Sequence, residues 1–362
     1  MKNIKIKYRK FNESQKDDLL NVIKKISKES EAKDKLASKK LRWEWQYKKL
    51  PSKKTFIYVA MYETKVIGYM HFPVYEFHIG KKSIKVASKQ AVGVLSKFNG
   101  LGIFKNLSNF ANKDLTNKVD FIYTFPNKKA IHTYLKYNNY RKVMTLPIYM
   151  KIISAENILL KKLNLFGLQK IIGVILDNLL TIFNKKLFNN ESIVKLNLSK
   201  SSHCEIFNEN SKKYYFSINK THKYIRWRYN ESYKTKYYIY GLKRNENIIA
   251  SIIFREQEIM GLNGLVIMEY TYSNNFKDLM RLISNIRKIL HEIPYKQKIT
   301  FVLLSGTQLS LIKNLLSGYF YIPKKFSPRP LIYLYKKANA KKWINEKFYD
   351  KILVTLGDWD VF

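Results

Sequence analysis

The chain has 362 residues, 46% of them hydrophobic and 15% aromatic, and a formal net charge of +40 at pH 7. That length and apolar content exclude a disordered chain and suit two cores better than one. The single cysteine, Cys204, excludes an intrachain disulfide and a cysteine-built zinc cluster, and fits a reducing compartment.

The charge has two readings. One is a polyanionic partner such as nucleic acid, anionic lipid or a phosphorylated ligand. The other is composition, because lysines are spread over almost the whole chain, as AT-rich coding produces. No nucleic-acid motif is present, so no specific nucleic-acid partner is expected. The basic start Met1–Ile6 leads into a charged alternating run, not an apolar leader segment. No run approaches the roughly 18 apolar residues of a membrane span. The expected location is the cytoplasm, with peripheral contact at the inner face of the membrane as a variant.

In chain order, Ser14–Ser30 has helical spacing, with Leu19, Leu20, Val22, Ile23 and Ile26 on one side. "LRWEWQYKKLP" then leads into two strands of "TFIYVAMYETKVIGYMHFPVYEF", turning at Glu63-Thr64-Lys65. "KSIKVASKQAVGVLS" reads as two short strands, and Ile103–Leu115 as a helix. "VDFIYTFPN" is a buried strand stopped by Pro126 and Asn127. Ala130–Tyr137 is a short helix, and "YRKVMTLPIYMKI" is a closing strand. The first half is thus an α+β layer structure. Glu156–Phe188 is helical by period and rich in Leu and Ile. It reads either as a connector or as an in-plane amphipathic membrane helix.

The pattern then recurs. Trp227 and Tyr229 precede a strand, a polar turn at Arg244–Asn247 and an apolar strand, as Trp45 and Tyr47 do in the first half. An offset of about half the chain points to an imperfect duplication. "GLVIMEYTYS", a helix at Phe276–Leu290, the strand "KITFVLLS", a helix at Thr307–Leu316 and the strand "RPLIYLYKK" complete the second copy. The expected division is 1–153 and 196–338 as domains, 154–195 as helical connector and 339–362 as a tail.

The stretch "SKFNGLGIFKNL" (96–107) places Gly100 and Gly102 between a strand and a helix. Helix N-termini carry unsatisfied amides and the positive end of the macrodipole, and glycines let a backbone approach a pyrophosphate closely. It is neither a Walker A loop nor G-x-G-x-x-G.

With the order of elements, this loop resembles that of the GNAT-type acyltransferase superfamily, Gln/Arg-x-x-Gly-x-Gly/Ala. The matching positions run from Asn99 through Gly100, Leu101, Gly102 and Ile103 to Phe104. Gly102 matches, Asn99 replaces Gln/Arg, Phe104 replaces the last small residue, and Lys97 and Lys105 flank the loop. "DFIYTFPNKKAIHTYLKYNNYRKV" is similar to the family's later half, with Asn139-Tyr140 at its Gly-Phe position. Phe125-Pro126-Asn127 and the entry "WEWQY" resemble a double-domain branch linked to polysaccharide and glycoconjugate assembly.

The resemblance implies two GNAT-like domains, each a mixed, mostly antiparallel sheet flanked by helices. It also implies acetyl-coenzyme A or another acyl-coenzyme A as co-substrate, no metal, and direct N- or O-transfer to a sugar or lipid-linked precursor. Val92, Gly93 and Val94 would orient the pantetheine, and Asn99, Gly100, Leu101, Gly102 and Ile103 would hold the pyrophosphate. The family's acid, a Tyr, falls at Leu135, which makes Tyr134 the candidate; its other reading is a core aromatic. Asn127 could orient a carbonyl or water, or cap a helix. Glu76, near His71 and His78, is the candidate base, or a surface residue; Gln90 cannot act as a base. Trp43, Trp45, Tyr47 and Trp227 could stack on a sugar or form a buried cluster. The second copy lacks the glycine loop, so one coenzyme site is expected, in the first half. Two alternatives stay open: a Fem-type transferase using aminoacyl-tRNA, and a degenerate protein binding membrane or polyanion.

Overall fold

The computed structural model describes residues 5–29, 41–156, 159, 172, 175–176, 188–232, 235–292, 299–310, 318–323, 330–335 and 350–359. Most of the expected connector 154–195 lies outside them. Contacts divide the chain into two units that alternate along the sequence. Unit one holds Met1–Thr145, Glu231–Lys234 and Pro328–Tyr349; unit two holds Leu146–Asn230, Thr235–Ser327 and Asp350–Phe362. The consecutive boundaries expected from the sequence are therefore not those of the fold.

Unit one contains β1 (Ile6–Lys10), β2 (Thr55–Tyr62), β3 (Lys65–Ile79), β4 (Lys82–Ser88), β5 (Gln90–Val94), β6 (Phe121–Thr124) and β7 (Arg141–Thr145). It also takes β16 (Pro330–Tyr335) from far along the chain. The order is β1-β2-β3-β4-β6-β16-β7, with β5 on β3. All pairs are antiparallel except β4 with β6. Among the described residues α1 (Lys16–Glu29), α2 (Ile103–Leu115) and α3 (Lys128–Tyr137) flank it. An Asn12/Gln15 capping box leads into α1, whose first turn carries Asp17 and Asp18 to suit the dipole. On α2, Ile103, Leu107, Ala111 and Leu115 recur every four residues and are buried in the unit's apolar core.

Unit two contains β8 (Ile148–Ile152), β9 (Glu191–Lys195), β10 (Phe216–Ile218), β11 (Tyr238–Arg244), β12 (Asn247–Ile259), β13 (Leu262–Tyr272), β14 (Ile299–Ser305), β15 (Phe320–Ile322) and β17 (Ile352–Leu353). The main order is β15-β8-β14-β13-β12-β11-β9, and only β13 with β14 is parallel. Its helices among the described residues include α4 (Ser202–Lys212), α5 (His222–Ile225) and α6 (Phe276–Ser284).

The duplication is legible in three dimensions. Glu63 and Asn245, 182 positions apart, are both left-handed turn residues, with φ of 52° in each. β3 and β12 begin at the same offset, Lys65 and Asn247. "EWQYK" and "RWRYN" both form single π-helical turns, Glu44–Lys48 and Arg226–Asn230.

Four sequence expectations need correction. The closing strand 140–152 breaks at Leu146-Pro147, because proline supplies no N–H to a ladder; β7 stays in unit one and β8 goes to unit two. The strand "RPLIYLYKK" closes unit one, between β6 and β7, and not the second copy. The helix expected to reach Leu290 ends at Ser284, where Asn285 leads into a 3-10 turn, Ile286–Glu292. Within the expected tail, residues 352–359 are buried.

Candidate functional site

The edge between β4 and β6 in unit one is where the sheet parts. Parallel pairing reaches Ser88 with Tyr123, and the Lys89 N–H donates to the Tyr123 carbonyl at 2.8 Å. Ala91 then adopts φ +41°, a strained conformation for a residue with a Cβ, and the register against β3 slips between Tyr69 and His71. From there β5 pairs with β3 alone. The Leu95 N–H donates to the Ile67 carbonyl, so by antiparallel alternation Gly93 turns its backbone polar groups to β3. Val92 and Val94 turn theirs to the opposite edge, which β6 has left. Gly93 has a packing role: a Cβ there would meet Ile26 at 2.8 Å and Tyr69 at 3.0 Å.

Beyond Val94 the chain makes a 3-10 turn, Ser96–Phe98, then passes Asn99 in extended form. Gly100 and Gly102 have φ of +83° and +67°, values that exclude side chains without strain. A Cβ at Gly100 would find no atom within 4 Å, and one at Gly102 only Asn106, at 3.8 Å. The glycines are thus required by backbone shape, and the space above them is open. Gly102 is the N-cap of α2 and supplies no side chain to its first amides. A cleft of about 320 Å³ lies here, lined by Val94, Asn99, Gly100, Gly102, Lys105 and Tyr137 among others. The Lys105 ammonium stands 5.0 Å from the Tyr137 ring centre. Tyr137 and Thr133, on α3, were not singled out from sequence; the only signal was their place on the helix after "FPN".

The other sequence candidates are held in capping or packing roles or stand on the surface. Asn127 is the N-cap of α3, accepting from the Ala130 N–H at 2.8 Å. Tyr134 is 2% exposed, packed between Phe104 and Tyr140, with the Lys89 ammonium 4.4 Å from its ring centre. Burial pushes its phenol pKa up. It is a core aromatic, not an acid facing a cleft. Lys89 itself is 3% exposed and donates to the Ser108 hydroxyl at 2.6 Å. Glu76 is exposed on β3 opposite Lys85. It lies five residues past His71, roughly 16 Å along the strand. Trp43, Trp45, Tyr47 and Trp227 are 3%, 5%, 9% and 3% exposed, so these rings belong to the interior and offer no stacking face. Asn139 has φ +58°, which explains how asparagine serves at the Gly-Phe position.

What does meet at the break is a set to which sequence reasoning assigned no role. Gln46 donates to the Gln90 side-chain carbonyl at 2.6 Å, and Gln90 donates to Ser88 at 3.0 Å. His71, paired with Gln90 in register, is 1% exposed, and neither ring nitrogen hydrogen-bonds a described residue. Burial, with the Arg42 charge, lowers its pKa to about 3.

In unit two the matching positions differ in charge. Glu269 faces Ile253, the residue 182 after His71, and so takes the place of Gln90. It is fully buried, ion-paired with Lys220, and accepts from Tyr229 at 3.0 Å. Its following loop has no left-handed glycine, and Asn275 caps α6 by accepting from the Lys277 N–H at 2.9 Å. Among the described residues no group of three or more His, Cys, Asp or Glu could hold a metal ion, and no helix is long and apolar enough to cross a membrane.

No protein-family model matches the sequence, and no curated protein matches it. Solved structures do match in fold. A GCN5-related N-acetyltransferase from Anabaena variabilis superposes with a TM-score of 0.64 at 13% identity, over 93% of this chain and 74% of that one. A conserved protein of unknown function from Enterococcus faecalis gives 0.61 at 12% identity, with the same coverage of both chains. A tandem GNAT protein from the clavulanic acid biosynthesis pathway gives 0.57 at 8% identity, over 92% of this chain and 99% of that one. The fold is the α+β fold of GNAT proteins, present twice.

Proposed function

We propose that the chain is an acyl-coenzyme A-dependent N-acyltransferase, with acetyl-coenzyme A as the donor to test first and its site in unit one. The observation that supports this most is the loop 99–103. Two left-handed glycines lie under open space, lead into a helix with no side-chain cap, and adjoin a strand edge that its neighbour has left. Bound coenzyme would supply an activated thioester. The loop and the first amides of α2 would hold its pyrophosphate, with Lys97 and Lys105 offsetting charge. The outward backbone groups of Val92 and Val94 would hold the pantetheine amides and orient the carbonyl.

With Glu76 distant and Tyr134 buried, the acceptor would enter as the free amine and form the amide bond as the C–S bond breaks. The coenzyme would leave as its thiolate, and the amine's proton would pass through solvent to that thiolate. The acceptor is a small molecule. A sugar acceptor loses its aromatic support, since the four rings invoked for it are interior. The same distance and burial favour a second reading, in which unit one binds coenzyme without transferring an acyl group.

Thermal unfolding with acetyl-coenzyme A tests the binding. A rise of several degrees at millimolar ligand, abolished in Gly102→Glu, is expected; no rise at that concentration refutes both readings. Thiol release from acetyl-coenzyme A with a panel of small amines then separates them: release that depends on an amine supports transfer, and none across the panel leaves binding alone.

A further inference from the structure

The last described stretch of the chain is buried, although neither main strand order runs through it. Residues 352–359 are all buried, and β17 within them pairs only briefly, in parallel, with β10. Its position is specific. β13 and β14 pair from Asn263 with Ile299 to Ile267 with Leu304, and then part, as β4 and β6 do in unit one. The C-terminal stretch is tied to both arms beyond that point.

On the β14 side Thr355 bridges Gly306, the Thr307 N–H donates to the Val354 carbonyl at 3.0 Å, and the Val354 N–H donates to the Thr307 hydroxyl at 3.1 Å. On the β13 side the Thr355 hydroxyl donates to Glu269 at 2.7 Å, and residues 356–358 pack on the strand. Lys220 pairs with Glu269 and stands 3.8 Å from Asp358. The fit leaves no slack: a Cβ at Gly357 would overlap both the Tyr229 hydroxyl and the Glu269 carboxylate. In unit one the corresponding edge bears the half-buried Val92 and Val94, and Val94 lines a cleft.

We propose that residues 350–359 are a built-in occupant of the second copy's coenzyme cleft, so that each chain offers a single coenzyme site. The occupant holds by backbone pairing, apolar burial and charge together. A coenzyme entering there would have to break the Thr355–Glu269 link and leave buried charges exposed to each other without their tether. The count of one site rests on the coenzyme reading of unit one; the occupied cleft does not.

Hydrogen–deuterium exchange on the full chain tests this, with and without millimolar acetyl-coenzyme A, in the wild type, Thr355→Val and Gly357→Val. In the wild type, amides 352–358 are expected to exchange about 100-fold or more slowly than free chain, and acetyl-coenzyme A leaves 269–275, 305–310 and 352–358 unchanged. Thr355→Val is expected to speed exchange about tenfold in 352–358, 269–272 and 305–307 together, while β11 and β12 stay protected. Gly357→Val does the same more strongly; should it unfold the unit, Thr355→Val still decides. Three results overturn the proposal: free-chain exchange at 352–358 in the wild type, faster exchange in the variants confined to that segment, or an effect of acetyl-coenzyme A on any of the three segments. Failure of the coenzyme reading shows separately, as no slowing of residues 95–106.

Discussion

His71 should make the protein acid-sensitive in a way one substitution removes. Its ring lies among Trp43, Tyr47 and Tyr69, with centroids at 5.4, 4.6 and 5.3 Å. Burial first, and the Arg42 charge second, bring its pKa from 6.5 to about 3. The folded protein therefore keeps it neutral at pH values where the unfolded chain takes up a proton. A depressed folded pKa gives stability that is complete above the unfolded value, near 6.5, and is lost as pH falls toward 3. Between pH 7.5 and pH 5 the loss from this one group is about 2 kcal/mol. For a unit of this size that is about 4–8 °C in Tm.

His71→Phe keeps an aromatic ring there and forfeits no hydrogen bond to a described residue. Calorimetry at the two pH values should show the drop in Tm shrinking by that amount, whatever the variant's Tm at pH 7.5. Asp358, whose pKa burial raises to about 6, acts in the opposite sense. Its stabilisation is full below the unfolded value and fades as pH rises through 6. It is common to both proteins, so it cancels in the comparison. An unchanged drop would refute the argument.

Asp114 works at lower pH. Burial opposes its ionisation, but hydrogen bonds from Lys118, Tyr58 and Lys10 prevail and hold its pKa at about 2. Asp114→Asn should cost about 1–2 kcal/mol at pH 7 by urea titration, a cost that shrinks as pH falls from about 4 to about 2. Glu269→Ala strands Lys220 without its buried counter-ion and should cost about 3–5 kcal/mol; Glu269→Gln, which keeps the Tyr229 and Thr355 contacts, should cost less by the same titration. Tyr134→Phe should leave acetyl-coenzyme A binding and any thiol release within about threefold, whereas Tyr134→Ala should lower stability by about 3–5 kcal/mol. A loss of thiol release in the Phe variant at unchanged stability would return Tyr134 to catalysis.

The features legible in sequence were those with local causes. Strand alternation and the turn at Glu63-Thr64 marked the first hairpin, the spacing of Leu19 to Ile26 marked α1, and Gly100 with Gly102 marked a backbone that must turn left-handed. The 182-residue offset was visible because turns and Trp-x-Tyr survive divergence. What stayed hidden depends on distant pairing. Nothing in "RPLIYLYKK" says which sheet it joins, since any strand of that pattern fits either core. Trp43 and Trp45 look the same in sequence whether they stack on a ligand or fill an interior. Tyr134 stood beside the family's position, and only its Lys89 and Tyr140 neighbours show that it is core. The burial of 352–359 depends on Glu269 and Lys220, both remote in sequence.

The late arrival of β16 has a consequence for synthesis. β6 and β7 do not pair with each other; β16 lies between them. From the emergence of Thr145 to that of Tyr335, about 190 residues later, the first half waits without its closing strand. At about 5–20 residues per second this is roughly 10–40 s on the ribosome. The edge of β6, with all four residues buried in the finished fold, is open throughout. The second half waits as well, since β8 emerges long before β14 and β15, the strands it joins, and β10 before β17. Expression of residues 1–153 alone should therefore yield aggregates, and slowing translation after residue 153 should lower the soluble yield of the full chain.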